Sequence, residues 1–185
     1  MKRFILTGAP GAGKTVLVRQ LELDGFSVVE EAATDVIALG QARGIAEPWR
    51  DRSFIDAIVD LQTIREARGA ERPDAVQFQD RSVVCTAALA TYLGFPFGSL
   101  LECALERIIR ESIFQKEVFF IRNLGFIAPT EARRIPFEEA LRFERIHEDV
   151  YRHFGFDLIS IAAGSLDERV AEIKRIVAAK CDRLG

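Results

Sequence analysis

The sequence predicts a three-layer α/β fold, with helices covering both faces of a parallel five-stranded sheet, and three observations carry that prediction. Short apolar runs beginning at Phe4, Phe26, Ala75, Glu117 and Phe156 alternate with stretches of helical periodicity, the pattern of repeated strand–helix–strand units. The run Glu117-Val-Phe-Phe-Ile121 is apolar throughout after its first residue, as strands buried on both faces are. Between the first run and the first helix, Gly8-Ala-Pro-Gly-Ala-Gly-Lys14-Thr15 fits the phosphate-loop pattern G-x-x-x-x-G-K-[ST] at every specified position, in the strand–loop–helix setting the motif requires.

The chemistry of that loop follows from its residue types. With glycine at 8, 11 and 13, the backbone is free to curl its N–H groups around an anion, and the helix that follows adds its dipole. Gly8, Ala9, Pro10, Gly11, Ala12, Gly13, Lys14, Thr15 and Val16 are therefore the expected nucleotide-binding residues. Lys14 is expected to reach the β- and γ-phosphates and Thr15 to hold Mg²⁺.

At 185 residues the chain reads as a single domain over 1–185, long enough to bury about 70% of its unfolded surface without a metal or disulfide staple. Its 25 Lys and Arg against 28 Asp and Glu leave a net charge of −3, so no overall field favours nucleic acid or an acidic membrane. Cys85, Cys103 and Cys181 are scattered among apolar residues and read as reduced, buried thiols. The chain opens directly on a strand, and no stretch is long and apolar enough for a signal peptide or membrane span. A cytoplasmic protein is the expectation; nothing sets an oligomeric state.

The remaining elements follow in order. After the loop helix, Phe26–Val29 is a strand ending in Glu30 and Glu31, which lead into an Ala-rich helix running to about Gly44. Two carboxylates at a strand's carboxyl end lie where open α/β sheets bind ligands, although acidic residues also suit a helix start. Gly44–Arg52, with Pro48 and the single Trp49, reads as a loop and a candidate cap over the site. Ser53 offers an N-cap to the next helix, on which Gln62 and Arg65 share a face; they either contact an acceptor or are simply solvated.

Ala75–Phe78 delivers Gln79-Asp80-Arg81-Ser82 to its end. Asp80 is the expected carboxylate for Mg²⁺ or its water shell, because a phosphate loop needs one at a neighbouring strand end. Arg81 is placed to clamp a phosphate or to pair with Glu31. Helices are expected over Val83–Leu93 and Ser99–Gln115, then the strand to Ile121. From Arg122 to Pro136 the sequence is polar and irregular for fifteen residues, a length usually associated with function. Arg133 and Arg134 make it a candidate lid closing over a transferring phosphoryl group. His147 and His153, on a helix from Phe137 to Phe154, read as structural or surface residues. A fifth strand ends at Ile161, and Ser165-Leu-Asp-Glu168 is a capping box opening the last helix.

Taken together, the phosphate loop, the Glu pair, the Asp80-Arg81-Ser82 triplet and the Arg-bearing lid resemble the P-loop kinase branch. Within it, the whole chain is similar to AAA-type ATPase-like domains related to the ribosylnicotinamide kinase portion of bacterial NAD regulators, and more distantly to deoxynucleoside kinases. The resemblance implies the three-layer P-loop NTPase fold with sheet order 2-3-1-4-5. It also implies Glu30 or Glu31 as the base, Asp80 on the metal side, Arg81 as a ligand of acceptor or phosphate, and Gln62 as a reader of the acceptor. The lid has no Asp-x-x-Arg pattern, which counts against ribosylnicotinamide as that acceptor, and no Asn-Lys-x-Asp motif of switch GTPases is present.

Two classes of function fit these residues: a kinase moving the γ-phosphoryl of ATP (or GTP) to a small hydroxylated metabolite, nucleoside-like or nucleotide-like, and a nucleotide-dependent binding module or NTPase switch with no such acceptor. A carboxylate near the γ-phosphate and a closing Arg lid suit transfer to a hydroxyl and favour the kinase.

Overall fold

A computed structural model describes residues 1–8, 11–122 and 137–182. The element order is β1 (Lys2–Thr7), α1 (Lys14–Leu23), β2 (Ser27–Val29), α2 (Ala33–Ala42), a 3₁₀ turn (Pro48–Arg50), α3 (Ser53–Ala70), β3 (Val76–Asp80), α4 (Val83–Leu93), α5 (Ser99–Arg110), β4 (Glu117–Ile121), α6 (Phe137–His153), β5 (Asp157–Ile161) and α7 (Leu166–Asp182). All strand pairings are parallel and the sheet runs β2-β3-β1-β4-β5. Both the parallel sheet and its order agree with the expectation.

Strand alternation divides the core into two layers. Ile5 and Val118 face α3, α4, α5 and α6, while Phe4, Leu6, Phe119 and Ile121 face α1 and α7. On that second face three rings from adjacent strands meet: Phe4 lies 6.2 Å from Phe78 and 5.8 Å from Phe119, and Phe78 lies 6.4 Å from Phe119. Aromatic contacts of this kind fix register because a one-residue slip would send each ring to the other face.

Some boundaries differ from expectation, each for a local reason. The helix expected to reach Gln115 stops at Arg110, because Ser112 takes a left-handed φ of 48° and Ile113 N–H turns back to Ile108 O at 3.1 Å. Ser53 does not cap α3: the Asp51 carboxylate accepts the Ser53 N–H at 2.8 Å. Within the expected loop before α3, Pro48 is buried and Trp49 packs partly buried on the core, so the segment is seated on the domain rather than standing open. Of the three cysteines only Cys85 is buried; Cys103 is exposed and Cys181 half-buried, since Leu101, Ala104, Leu105 and Ile108 form the inward stripe of α5. The capping box is present, with Ser165 Oγ and N–H donating to Glu168 and Glu168 N–H donating to Ser165 Oγ. No helix among the described residues is long and apolar enough to cross a membrane.

Truncating the middle ring tests this account of the core. Phe78→Ala removes partners of Phe4, Phe26 and Phe119 and is expected to cost about 3–5 kcal/mol, read as a lower urea midpoint with the slope unchanged.

Candidate functional site

The carboxyl ends of β1, β3 and β2 converge on one group of charged side chains. β1 leads into the phosphate loop through Gly8, whose φ is 137° and whose added Cβ would meet Ile121 O of β4 at 2.3 Å; only glycine fits this crossing. Gly11 and Gly13 also have positive φ, at 84° and 81°. Gly13 is the N-cap of α1 and no side chain caps that end, so the first-turn N–H groups keep their capacity for an anion. From the far end of the chain, Arg169 of α7 donates to Ala12 O at 2.9 Å and ties the loop to the second helical layer. Ala9 and Pro10 lie outside the described residues, as do Arg133 and Arg134 and most of the expected lid.

Lys14, at the first position of α1, is buried and directs its ammonium back to Gly8 O at 2.8 Å. Burial, and after it the charge of Arg81, pushes this amine down to about 7, while Asp80, Cys85 and Glu31 pull the other way. Thr15 and Val16 are exposed on the same turn. Asp80 stands opposite Leu6 in the β1–β3 register. It is 7% exposed, and its Oδ1 is buried without a hydrogen-bond partner. Burial raises its carboxyl above the usual range despite Arg81 and Lys14. Such an acceptor, beside a glycine-rich loop of the phosphate-binding pattern, fits a divalent cation or its water. No cluster of three or more His, Cys, Asp or Glu able to hold a metal occurs among the described residues; Thr15 and Asp80 with phosphate oxygens are a donor set suited to Mg²⁺, which keeps most of its water and takes few protein ligands.

The structure separates the two glutamates. Glu30 points outward to Arg19 at 2.6 Å and is half exposed. Glu31 turns inward: its Oε2 accepts from Thr34 Oγ1 at 2.5 Å and its Oε1 lies 3.6 Å from Arg81 Nε. Consecutive residues at a strand end face opposite ways, and here only the second faces the site. Arg65 holds this turn from behind, donating to the Glu30 and Glu31 carbonyls and to Asp35, so its guanidinium is occupied in shaping the site. Gln62 is buried, its Oε1 accepting from Thr86 Oγ1 at 2.9 Å; it is not solvated.

Arg81 adopts a left-handed φ of 67°, a conformation costing a non-glycine residue about 1–2 kcal/mol. Its N–H is fixed to Leu6 O at 2.9 Å, and the twist carries the side chain between Glu31 and Cys85. Burial works against its charge, yet Cys85, Glu31 and Asp80 hold the guanidinium above its usual range. Sequence reasoning missed Cys85, His147 and Arg169. Of these, only Cys85 left a signal, four residues after Arg81 at the start of a helix. His147, expected to be structural or on the surface, is fully buried and lies 3.0 Å from Cys85 Sγ.

The sequence matches the AAA domain family over residues 3–169. The chain belongs to that family. Among solved structures, it is similar to the NadR protein in complex with NAD and AMP-PNP, with TM-score 0.67 and 20% identity over 95% of this chain and 48% of that one; it spans about half of that NadR chain. It is also similar to deoxyadenosine kinase from M. mycoides with bound dATP, with TM-score 0.66 and 11% identity over 96% of this chain and 100% of that one. Shikimate kinase from Acinetobacter baumannii with shikimate gives TM-score 0.56 and 15% identity, covering 97% and 94%. At these identities the likeness is one of fold: a P-loop kinase-like domain. No curated protein sequence matches the chain.

The crossing at Gly8 yields a direct test. Gly8→Ala should lower stability by about 2 kcal/mol or more, because both the backbone conformation and the Ile121 carbonyl oppose a methyl group. Thermal melting checks this, and Gly25→Ala, at a glycine with open space around it, is the control that retains only the φ penalty.

Proposed function

We propose that this domain is an ATP-dependent kinase that transfers the γ-phosphoryl group to a hydroxyl of a small, nucleoside-like or nucleotide-like metabolite. One observation carries the reading: Lys14, Asp80, Arg81 and an inward-facing Glu31 meet at one edge of the sheet, with an unpartnered Asp80 oxygen among them. Structural likeness to kinases, one with bound dATP and one with shikimate, supports it.

Each residue then has a role set by its place. The loop N–H groups and Lys14 bind the phosphates, and Lys14 exchanges the Gly8 carbonyl for phosphate oxygens. Thr15 and Asp80 would hold Mg²⁺, which when bound neutralises charge on the β- and γ-phosphates. Glu31 Oε1 accepts the proton of the acceptor hydroxyl as it attacks. Arg81 holds an anionic group, either the moving phosphoryl or one on the acceptor. Gln62, oriented by Thr86, lies beyond them as a contact for the acceptor. Arg133 and Arg134 are proposed to close over the nucleotide. GTP in place of ATP requires no change in this scheme.

Screening nucleosides, nucleotides and other small hydroxylated compounds for acceptor-dependent ADP release is the deciding assay. Lys14→Ala should fold, bind Mg·ATP weakly and lose turnover by on the order of 10² to 10³. ATP affinity and turnover unchanged in this variant would sink the proposal. Acceptor-independent hydrolysis, with no acceptor found, would instead favour a nucleotide-driven switch.

The two glutamates divide the mechanism more finely. Glu31→Gln should retain Mg·ATP binding and slow transfer by roughly 10² to 10⁴, whereas Glu30→Gln, which breaks only an exposed pair with Arg19, should leave transfer near the parent rate. Asp80→Asn should raise the Mg²⁺ concentration needed for half-maximal rate and depress both transfer and background hydrolysis. Equal effects of the two Glu variants would remove Glu31 as the base.

A further inference from the structure

Two side chains that the proposed reaction leaves unused meet behind Arg81. Cys85 lies in the first turn of α4, and its buried Sγ is 2.9 Å from Arg81 Nη1 and 3.0 Å from His147 Nε2. His147, on α6, has its Nδ1 2.8 Å from Phe143 O. A carbonyl oxygen only accepts, so Nδ1 carries a proton. One further proton is shared between Nε2 and Sγ. On sulphur it gives a thiol donating to imidazole; on nitrogen it gives an imidazolium donating to a thiolate. Net charge is the same in both, but the second form sets negative charge against Arg81.

Arg81 needs such a partner. Its side chain is only 15% exposed, and Glu31 stands 3.6 Å from Nε, beyond a good hydrogen bond. With an ion pair of that length as its carboxylate contact, a guanidinium drawn largely out of water is stabilised further by a second, closer anion. Cations and a helix N-terminus are the surroundings that favour a thiolate. The groups facing the sulphur are Arg81 from the β3–α4 turn, His147 and Tyr151 from α6, and Lys14 from the phosphate loop. Burial opposes ionisation, but Arg81, and then His147, bring the Cys85 thiol down to about 6. Glu144 and Glu148, also on α6, are engaged by Arg122 instead.

We propose that Cys85 and His147 are positioning residues that act together as an adjustable counter-ion for Arg81. In the thiolate–imidazolium form they hold the guanidinium ready; when a substrate anion engages Arg81, the proton passes from His147 Nε2 to Cys85 Sγ and the local negative charge withdraws. The proton stays within the pair, so no outside acid or base takes part. The inference rests on the reading in which Arg81 holds the moving phosphoryl rather than an anion of the acceptor, a place that the terminal phosphate of tripolyphosphate also fills.

The test uses the full chain carrying Cys103→Ser and Cys181→Ser, which leaves Cys85 as its one thiol. Far-ultraviolet thiolate absorbance, followed against pH, should show a midpoint near 6 rather than the ordinary value of about 8.5. Arg81→Gln should raise that midpoint by about one to three pH units, the effect of removing a neighbouring opposite charge. His147→Phe should raise it too, and His147→Gln, which keeps an N–H donor, should restore part of the shift. Saturating Mg²⁺ with inorganic tripolyphosphate, itself transparent in this range, should reduce the thiolate signal at neutral pH. A midpoint at the ordinary thiol value, unmoved by Arg81→Gln, overturns the proposal, as does an unchanged thiolate signal once calorimetry shows tripolyphosphate bound. The titration needs no turnover, so a failed kinase assay leaves it standing, and its own failure leaves the Lys14 and Glu31 results as they are.

Discussion

Two cations withdrawn from water at one edge of the sheet set the terms for the rest of this domain. Lys14 and Arg81 are both buried or nearly so, and each pushes against the other: Arg81 is the second cause, after burial, of the depressed Lys14 amine. Charges in such places are retained only where anions compensate them. Asp80, Glu31 and Cys85 supply part of that compensation from within the chain. The uncapped helix N-terminus, the left-handed glycines and the orphaned Asp80 oxygen are the features that the proposed binding of a polyphosphate and its cation would use. On that proposal, energy spent on concentrating like charges here would be recovered on binding, which is how a site comes to favour its ligand over water.

Holding that arrangement takes a stiff frame, and the fold provides one from both sides. The rings of Phe4, Phe78 and Phe119 lock three central strands in register, which fixes Asp80 against Leu6. Arg169 of α7 reaches the loop at Ala12, and the Gly8 backbone presses on the end of β4. On the opposite flank Arg65 binds the β2–α2 turn through its carbonyls and so holds the backbone from which Glu31 faces inward. Side chains first read as contacts for an acceptor thus include one that shapes the site's wall, a division of labour common where first contacts must be held to a fraction of an ångström.

How far the sequence revealed this depended on the distance over which each feature is determined. The strands were legible because parallel strands covered on both sides are continuous apolar runs, and the phosphate loop because its glycines, lysine and threonine act within eight residues. Helix ends were less so: the stop at Arg110 depends on one serine in a left-handed conformation, and the start of α3 on an aspartate two residues upstream of Ser53. The sheet order came from family resemblance, since local pattern says which segments are strands but not which are neighbours. Nothing local distinguishes Glu30 from Glu31, because the choice is made by Arg19 on one side and Arg81 on the other. The contacts of His147 with Cys85 and of Arg169 with Ala12 span 62 and 157 residues; no spacing rule reaches that far.

The geometry also bears on which of the two functional classes to prefer. In the order β2-β3-β1, the glycine-rich loop follows β1, Asp80 ends β3 and Glu31 follows β2, each one strand further from that loop. A hydrolytic switch needs little more than the first two positions, because its nucleophile is water held close to the γ-phosphate. Glu31 and Arg81 form a second, outer tier of opposite charges, with the buried Gln62 on the neighbouring helix α3. A carboxylate, a cation and an oriented amide brought together there would, on the proposed reading, suit a molecule with a hydroxyl and further polar groups of its own. On the proposed reading, that outer tier gives the domain a reason to keep Arg81 in a strained conformation that the phosphate loop alone does not require.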